Sequence, residues 1–414
     1  MNLEVLSELS FDLRIRTLFE YLDGRRALAA VGPSEQPGVW EVFGADEAVS
    51  VLTDHETYSS DVNAYIPAGQ QQLAAAASGH LAGIDPPRHT ELRGLINTAF
   101  TPRVVTNLEP RLQHTATTLL DAVAERAGTG EQAFDLVDDY AAPLTATTIA
   151  ELFGIPDSDH TLFARWAATL LNAKPTGSLG VADEAAMQRI GVLLAEVAEY
   201  LGAHIRARRA HPGEDLTSNL TTAEVAGRRL GDDEILGVIS MFLLAGYLPG
   251  SILIGNIVMC LDEHPAVRDL VWRSPELVPG TIEEVLRWRP PLVRDQRITT
   301  RDAEIAGVVI PARSPVCVWV ASANRDGAWF DRPAEFDIHR KPARHLALGK
   351  GIHYCLGAAL TRLEARVAVA ALADRFERIT VHHGGGIEFH RPIGLLGPAR
   401  LPVTADPVRA GVHR

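Results

Sequence analysis

Apolar residues return every third or fourth position through five long stretches of this chain, a spacing that predicts amphipathic helices. The stretches are Pro110 to Ala127, Tyr140 to Phe153, Asp157 to Leu171, Ala182 to Arg209 and Asp232 to Glu263, with breakers between them. Strand patterns are fewer and shorter. Val39 to Phe43, Ile305 to Pro311 and Pro315 to Val320 alternate or carry β-branched runs, and Ile387 to Phe389 and Leu401 to Val403 add small sheet pieces. Arg206 to Gly231, rich in Arg, Gly, Asp and Thr, reads as an exposed connection. The pattern is that of a mainly α protein with small β-sheets.

One stretch is apolar on every side. Ile235 to Leu261 carries no charge and exceeds the ~20 residues that cross a bilayer. Gly246, Pro249, Gly250 and Asn256 interrupt it, however. Acidic residues (Asp232, Asp233, Glu234, Asp262, Glu263) flank both ends, with no Lys/Arg bias. A long helix buried in protein explains it better than a membrane span.

Composition narrows the class. The chain has 414 residues, 46% of them hydrophobic, and no linker divides it, so a single domain over residues 1–414 is expected. A net charge of −13 argues against nucleic acid as a partner. The 3 cysteines, Cys260, Cys317 and Cys355, argue against a disulfide framework and for a reducing compartment. Met1 to Arg16 carries acidic residues and no long apolar run, so no signal peptide is expected and the location is cytoplasmic.

The chemistry concentrates near the C-terminus, in Leu348-Gly-Lys-Gly-Ile-His-Tyr-Cys355-Leu-Gly357. Apolar residues at helical spacing follow from Ala358 to Phe376, so Cys355 stands at a helix mouth, where amide N–H groups and the macrodipole favour a thiolate. Gly349 and Gly351 allow a tight loop, and Gly357 lets a flat group approach the backbone. A thiolate offered to a flat partner suggests haem iron held by cysteine. A buried apolar cysteine, or a nucleophile assisted by His353, are the competing readings.

The same segment resembles the haem-ligand loop of the cytochromes P450, whose pattern is Phe-Gly-x-Gly-x-His-x-Cys-x-Gly, with Leu348 replacing the phenylalanine. Asp85-Pro-Pro-Arg-His89-Thr-Glu-Leu-Arg93, followed by Ala99-Phe-Thr-Pro102, resembles that family's C-helix segment. Glu284-Val-Leu-Arg287 resembles its K-helix motif, and Phe336 to Arg340 the loop whose arginine completes the ion-pair cluster. The resemblance implies the P450 fold, with haem b (iron protoporphyrin IX) between a long central I helix, here Asp232 to Glu263, and the L helix after the ligand. It implies Cys355 as the iron ligand, and His89, Arg93, Arg297 and His353 around the haem propionates, with Gly357 against the haem. It also implies a haem-thiolate monooxygenase that takes electrons from ferredoxin and ferredoxin reductase and oxidises a small-molecule substrate, as a monomer.

The I helix departs from the family. An acid and an alcohol usually relay protons to the oxygen site, but here the run is Ala245-Gly246-Tyr247-Leu248-Pro249-Gly250, and neither Leu248 nor Pro249 can donate a proton. Pro249 should kink the helix and free carbonyls near Ala245. Ala245 and Gly246 remain as the groove expected to bind dioxygen, with Ser251 the nearest hydroxyl. Three chemistries stay open: ordinary oxygen insertion with protons from substrate or water, oxidative aryl, C–C or C–N coupling without insertion, and peroxide-driven oxidation. A non-catalytic haem-binding protein is a fourth reading.

Pocket residues are expected from Asp61 to Gly83, with Gln70 to Gln72 as amide contacts, from Phe163 to Asn172, from Ala245 to Pro249, and from Leu292 to Asp295. Arg294 and Asp295 are the polar anchors. This lining suits a medium-sized, partly polar organic molecule, and the resemblance implies one of secondary metabolism. The resemblance also implies that Arg103, Arg344, Lys350, Arg362 and Arg366 cluster on the haem-ligand side, as a candidate basic patch for an acidic ferredoxin.

Overall fold

The expected helices form, and the longest of them organises the rest. The structure is a computed structural model that describes residues 11–61, 81–127, 130–172, 184–341, 344–390 and 394–408. Glu109–Ala127, Ala142–Leu152, His160–Asn172 and Glu184–Ala210 match four of the apolar stretches, and Asp232–Glu263 is one unbroken helix of 32 residues. That long helix starts where three acidic residues meet the positive end of the helix dipole, and the Glu234 carboxylate accepts the Gly231 N–H at 3.1 Å. It ends before Pro265, the first residue of the next helix.

Helices pack around the long one: Ala142–Leu152, Glu184–Ala210, Val278–Trp288 and Ala358–Arg375. Its Ile239, Leu253, Ile257 and Met259 are fully buried in the main core with Leu144, Ile149, Leu201 and Leu372. Close approach needs a bare backbone at one crossing, since a Cβ on Gly246 would lie 2.7 Å from Ile149 Cδ1. Burial inside protein accounts for the membrane-like length and composition of this segment.

A five-stranded sheet stands beside the helices in the order Val31–Pro33, Trp40–Val42, Pro315–Val318, Asp295–Thr299, Tyr58–Ser59. Trp40–Val42 and Pro315–Val318 run parallel, with Cys317 opposite Glu41. Phe376–Val381, Pro402–Pro407 and Gln132–Asp135 form a second sheet. The N-terminal helix Phe11–Leu28 buries Leu18, Phe19 and Leu22 against Trp319, and the Arg325 guanidinium lies between the Phe19 and Trp288 rings at 3.4 and 3.7 Å.

Two expectations need correction. Arg206 to Gly231 is not simply an exposed connection. Its first residues finish a helix, and Leu216–Thr222 forms a further helix that buries Leu216 and Leu220 and is capped by Asp215 through the Ser218 N–H at 2.8 Å. The segment Ile305 to Pro311 is not one strand. Ala306 and Gly307 take φ of +50° and +75°, a two-residue turn that folds Ala303–Ile305 onto Val308–Ile310. Residues 62–80, including Gln70 to Gln72, lie outside the described residues, as do Met1 to Ser10.

Candidate active site

The cysteine loop is held from three sides. Asn324 Oδ1 accepts the Leu346 N–H at 2.7 Å, and the Leu348 carbonyl accepts the Cys355 N–H at 2.8 Å. Gly349 and Gly351 take φ of +72° and +69°, and a Cβ on Gly351 would sit 2.7 Å from the Leu52 carbonyl oxygen. Glycine is therefore required at 351 for both backbone conformation and space. The helix begins at Ala358, with Gly357 as its N-cap.

Cys355 is half-buried, and its thiol corrects the simplest expectation from a helix mouth. Burial raises its pKa, and this outweighs the Gly357 N–H and the charges of Arg93 and Arg362, which lower it.

Two histidines meet beside the loop. His89, on the helix Arg88–Ala99, is 2% exposed, and neither of its ring nitrogens has a hydrogen-bond partner. His353 Nε2 is also buried without one, and the two rings are 4.5 Å apart. Burial and the neighbouring Arg297 and His89 push the His353 pKa down to about 4. Arg93 donates to the Tyr354 carbonyl at 2.8 Å, and Arg297 bonds Asp295 at 2.8 Å and the Gln296 carbonyl at 2.7 Å.

Buried polar groups rarely go without partners. Unmatched imidazole nitrogens flanked by two guanidinium groups suit an anion, and two carboxylates of a haem fit them. A Cβ on Gly357 would meet no neighbouring protein atom within 4 Å, so that face is open to a flat group. Among the described residues no group of three His, Cys, Asp or Glu gathers to hold a metal.

Beneath the loop, Arg287 donates to both Glu284 oxygens at 2.7 Å, and both side chains are at most 2% exposed. Arg287 also donates to the carbonyls of Asn324, Pro333 and Glu335 at 2.9–3.0 Å, while Arg340 Nε lies 3.4 Å from Glu284. Asn324 thus ties this cluster to the loop that carries Cys355.

The long helix separates the residues expected to handle oxygen. Ala245 is exposed, Gly246 is committed to Ile149, and Ser251 is 3% exposed. At 3.6 residues per turn Ser251 lies about 120° around the axis from Ala245, so the helix does not bring the two together. Leu248 is 8% exposed, and Pro249 is accommodated without a break, although it has no N–H to offer the Ala245 carbonyl. Elsewhere in the expected pocket Phe163 is fully buried in the core, and Asp295 is engaged by Arg297.

Sequence reasoning passed over Glu364 on the Ala358–Arg375 helix. It is 2% exposed, and its Oε1 has no hydrogen-bond partner. Of the candidate basic patch, Arg362 is tied to Glu283 at 2.6 and 2.9 Å and Arg366 to Glu109 at 2.7 Å. Arg103, Arg344 and Lys350 are exposed.

Comparison with known proteins agrees with this geometry. A family model described as cytochrome P450 matches residues 275–400. The chain is 43% identical to erythromycin C-12 hydroxylase of Saccharopolyspora erythraea, over 89% of each protein. It is 39% identical to cyclomarin C epoxidase CymV of Salinispora arenicola, over 94% of this chain and 96% of that one. Among solved structures, the open form of cytochrome P450 EryK from S. erythraea superposes with a TM-score of 0.86 at 41% identity, covering 96% of this chain and 98% of that one. Ligand-free cytochrome P450 TbtJ1 gives 0.85 at 39%, over 94% and 97%.

Proposed function

The chain belongs to the cytochrome P450 family of haem-thiolate monooxygenases, and from that premise we propose that it oxidises a small organic substrate of secondary metabolism, in the cytoplasm, as a single-domain monomer. Electrons come from a ferredoxin and its reductase. The observation that carries the reading is the pair of buried, unpartnered imidazoles of His89 and His353 between Arg93 and Arg297, next to the Cys355 loop. The names of its relatives, a hydroxylase of erythromycin and an epoxidase of cyclomarin C, support a secondary metabolite as substrate.

The residues divide the work. His89, Arg93, His353 and Arg297 hold the propionates of haem b, and Cys355 is the axial ligand. Haem bound through cysteine supplies oxygen activation, since thiolate donation favours O–O cleavage. Leu348, 9% exposed, keeps water from the sulfur. Glu284, Arg287 and Arg340 hold the loop rigid. Ala245 lines the oxygen side, and its small side chain leaves room there.

Leu248 and Pro249 favour a second reading, oxidative coupling of aromatic or heteroatom centres, because a coupling reaction makes less demand on a proton relay. Titration of the purified ferric protein with aromatic natural products, cyclic dipeptides, terpenes and macrolides separates the cases. A low-to-high-spin Soret shift followed by NADPH-dependent product one oxygen heavier is the expected result. A dehydrogenated, joined product establishes coupling instead. Full haem loading with no NADPH-dependent product from any class overturns both.

A further inference from the structure

The long helix meets two distant parts of the chain through one amide. Asn256 follows Ala245 by three turns, so the two lie about 20° apart around the axis and roughly 16 Å apart along it. Asn256 is fully buried. Its Nδ2 donates to the Leu396 carbonyl at 2.8 Å and to the Arg289 carbonyl at 3.0 Å, while its Oδ1 is buried without a partner. An apolar residue of the same size would remove the unmet oxygen but strand both carbonyls. The amide is kept for those two carbonyls.

The segments that own them form a short ladder. The Val293 N–H donates to the Gly394 carbonyl at 3.1 Å, the Leu396 N–H donates to the Pro291 carbonyl at 3.0 Å, and Leu292 bridges Leu395. One face of the ladder enters the core, where Val293 and Leu396 are buried in one cluster with Trp319. The other face carries half-buried Leu395 and Leu292, which is 45% exposed between buried neighbours. The chain then runs on to Asp295 and Arg297, the latter beside His353, so this apolar face opens toward the site. Two glycines bring the ladder onto the helix. A Cβ on Gly397 would lie 2.4 Å from Ile252 Cγ2 and 2.8 Å from Asn256 Oδ1, and one on Gly255 would lie 2.6 Å from Pro398 Cγ.

Resting on the monooxygenase reading above, we propose that Asn256 is a positioning residue for substrate choice. It touches no ligand. By holding both strands of the ladder against the Ala245 side of the long helix, it fixes Leu292 and Leu395 as one apolar wall of the cavity. That wall favours molecules that carry a bulky apolar group beyond the atom nearest the iron, and the preference depends on the two hydrogen bonds of a side chain outside the cavity.

Imidazole and 4-phenylimidazole are the probes, since both ligate ferric haem through nitrogen and they differ by one phenyl group. Soret titration of the Asn256→Ala holoprotein is expected to show about ten-fold weaker binding of 4-phenylimidazole, with imidazole changed by less than about two-fold. Gly397→Ala, which forces the ladder off Ile252 from the opposite side, is expected to give the same selective loss. Leu292→Ala combined with Leu395→Ala should reproduce it, and adding Asn256→Ala to that pair should cost nothing further. Unchanged binding of 4-phenylimidazole, or equal weakening of both probes, overturns the proposal. An Asn256→Ala protein that takes up no haem also overturns it, because the residue then serves folding rather than the wall. Failure of the underlying reading has its own signature, a wild-type protein whose reduced carbon monoxide complex lacks the red-shifted Soret band of thiolate ligation.

Discussion

Replacing Arg287 by alanine should strip the cysteine loop of its foundation. The guanidinium makes five hydrogen bonds of 2.7–3.0 Å, two to Glu284 and three to carbonyls, while fully buried. Its removal leaves Glu284 buried with Arg340 at 3.4 Å and the Asp337 N–H at 2.8 Å. Removing one member of such a pair costs about 3–5 kcal/mol. With ~2.1 cal/mol/K of unfolding entropy per residue, 414 residues give about 0.9 kcal/mol/K, so the melting temperature should fall by roughly 3–6 °C. Haem occupancy should fall as well, because the Asn324 carbonyl loses its donor while Asn324 Oδ1 holds Leu346. Arg287→Lys keeps the charge but not the fork, and should still lose ~2–3 kcal/mol. Calorimetry with haem quantification on the three proteins decides. A melting temperature for Arg287→Ala within about 1 °C of wild type, at full haem content, would refute the network. A lysine variant equal to wild type would refute the geometric part.

Three further outcomes are expected. Gly351→Val should abolish the red-shifted band of the reduced carbon monoxide complex, since its Cβ would meet the Leu52 carbonyl at 2.7 Å and φ is +69°; an unchanged band counts against the loop argument. Burial, then Arg14, holds the His390 pKa down to about 4, so the fold keeps this imidazole neutral while the unfolded chain takes up a proton near pH 6.5. Stability from this residue is intact above about pH 6.5 and is lost as pH falls toward 4. Urea titrations across that range should therefore show a shallower decline for His390→Gln, and parallel curves would contradict the assignment. Lys350→Glu should slow reduction by an acidic ferredoxin at low salt and leave the high-salt rate unchanged. Equal low-salt rates would move docking away from this face.

Legibility followed the kind of signal. The Cys355 loop was readable because two glycines, a histidine and a cysteine at fixed spacing have few other uses, and Glu284 and Arg287 because i, i+3 charges precede a Pro-Pro stop. The ends of the long helix were readable from its acidic flanks. The cation between Phe19 and Trp288 was not, because its three members lie far apart in sequence and no local period links them. The Ala306–Gly307 turn was masked by β-branched neighbours that read as one strand. Glu364 could have been found: it falls four residues after Leu360 and three before Val367, on the buried stripe of its helix. A single acid on an apolar stripe is a stronger signal than its charge suggests.

The meeting of His89 with His353 also sets a clock on synthesis. At ~5–20 residues per second, the ribosome delivers Cys355 roughly 13–53 s after His89. The strand Trp40–Val42 waits as long for its parallel partner Pro315–Val318. For that interval the growing chain presents the His89 side of the site with the wall that carries His353 and Cys355 missing. The cradle is complete only once Cys355 has joined it. A chain halted before residue 353 should bind no haem, because His353 and Cys355 are both missing from it.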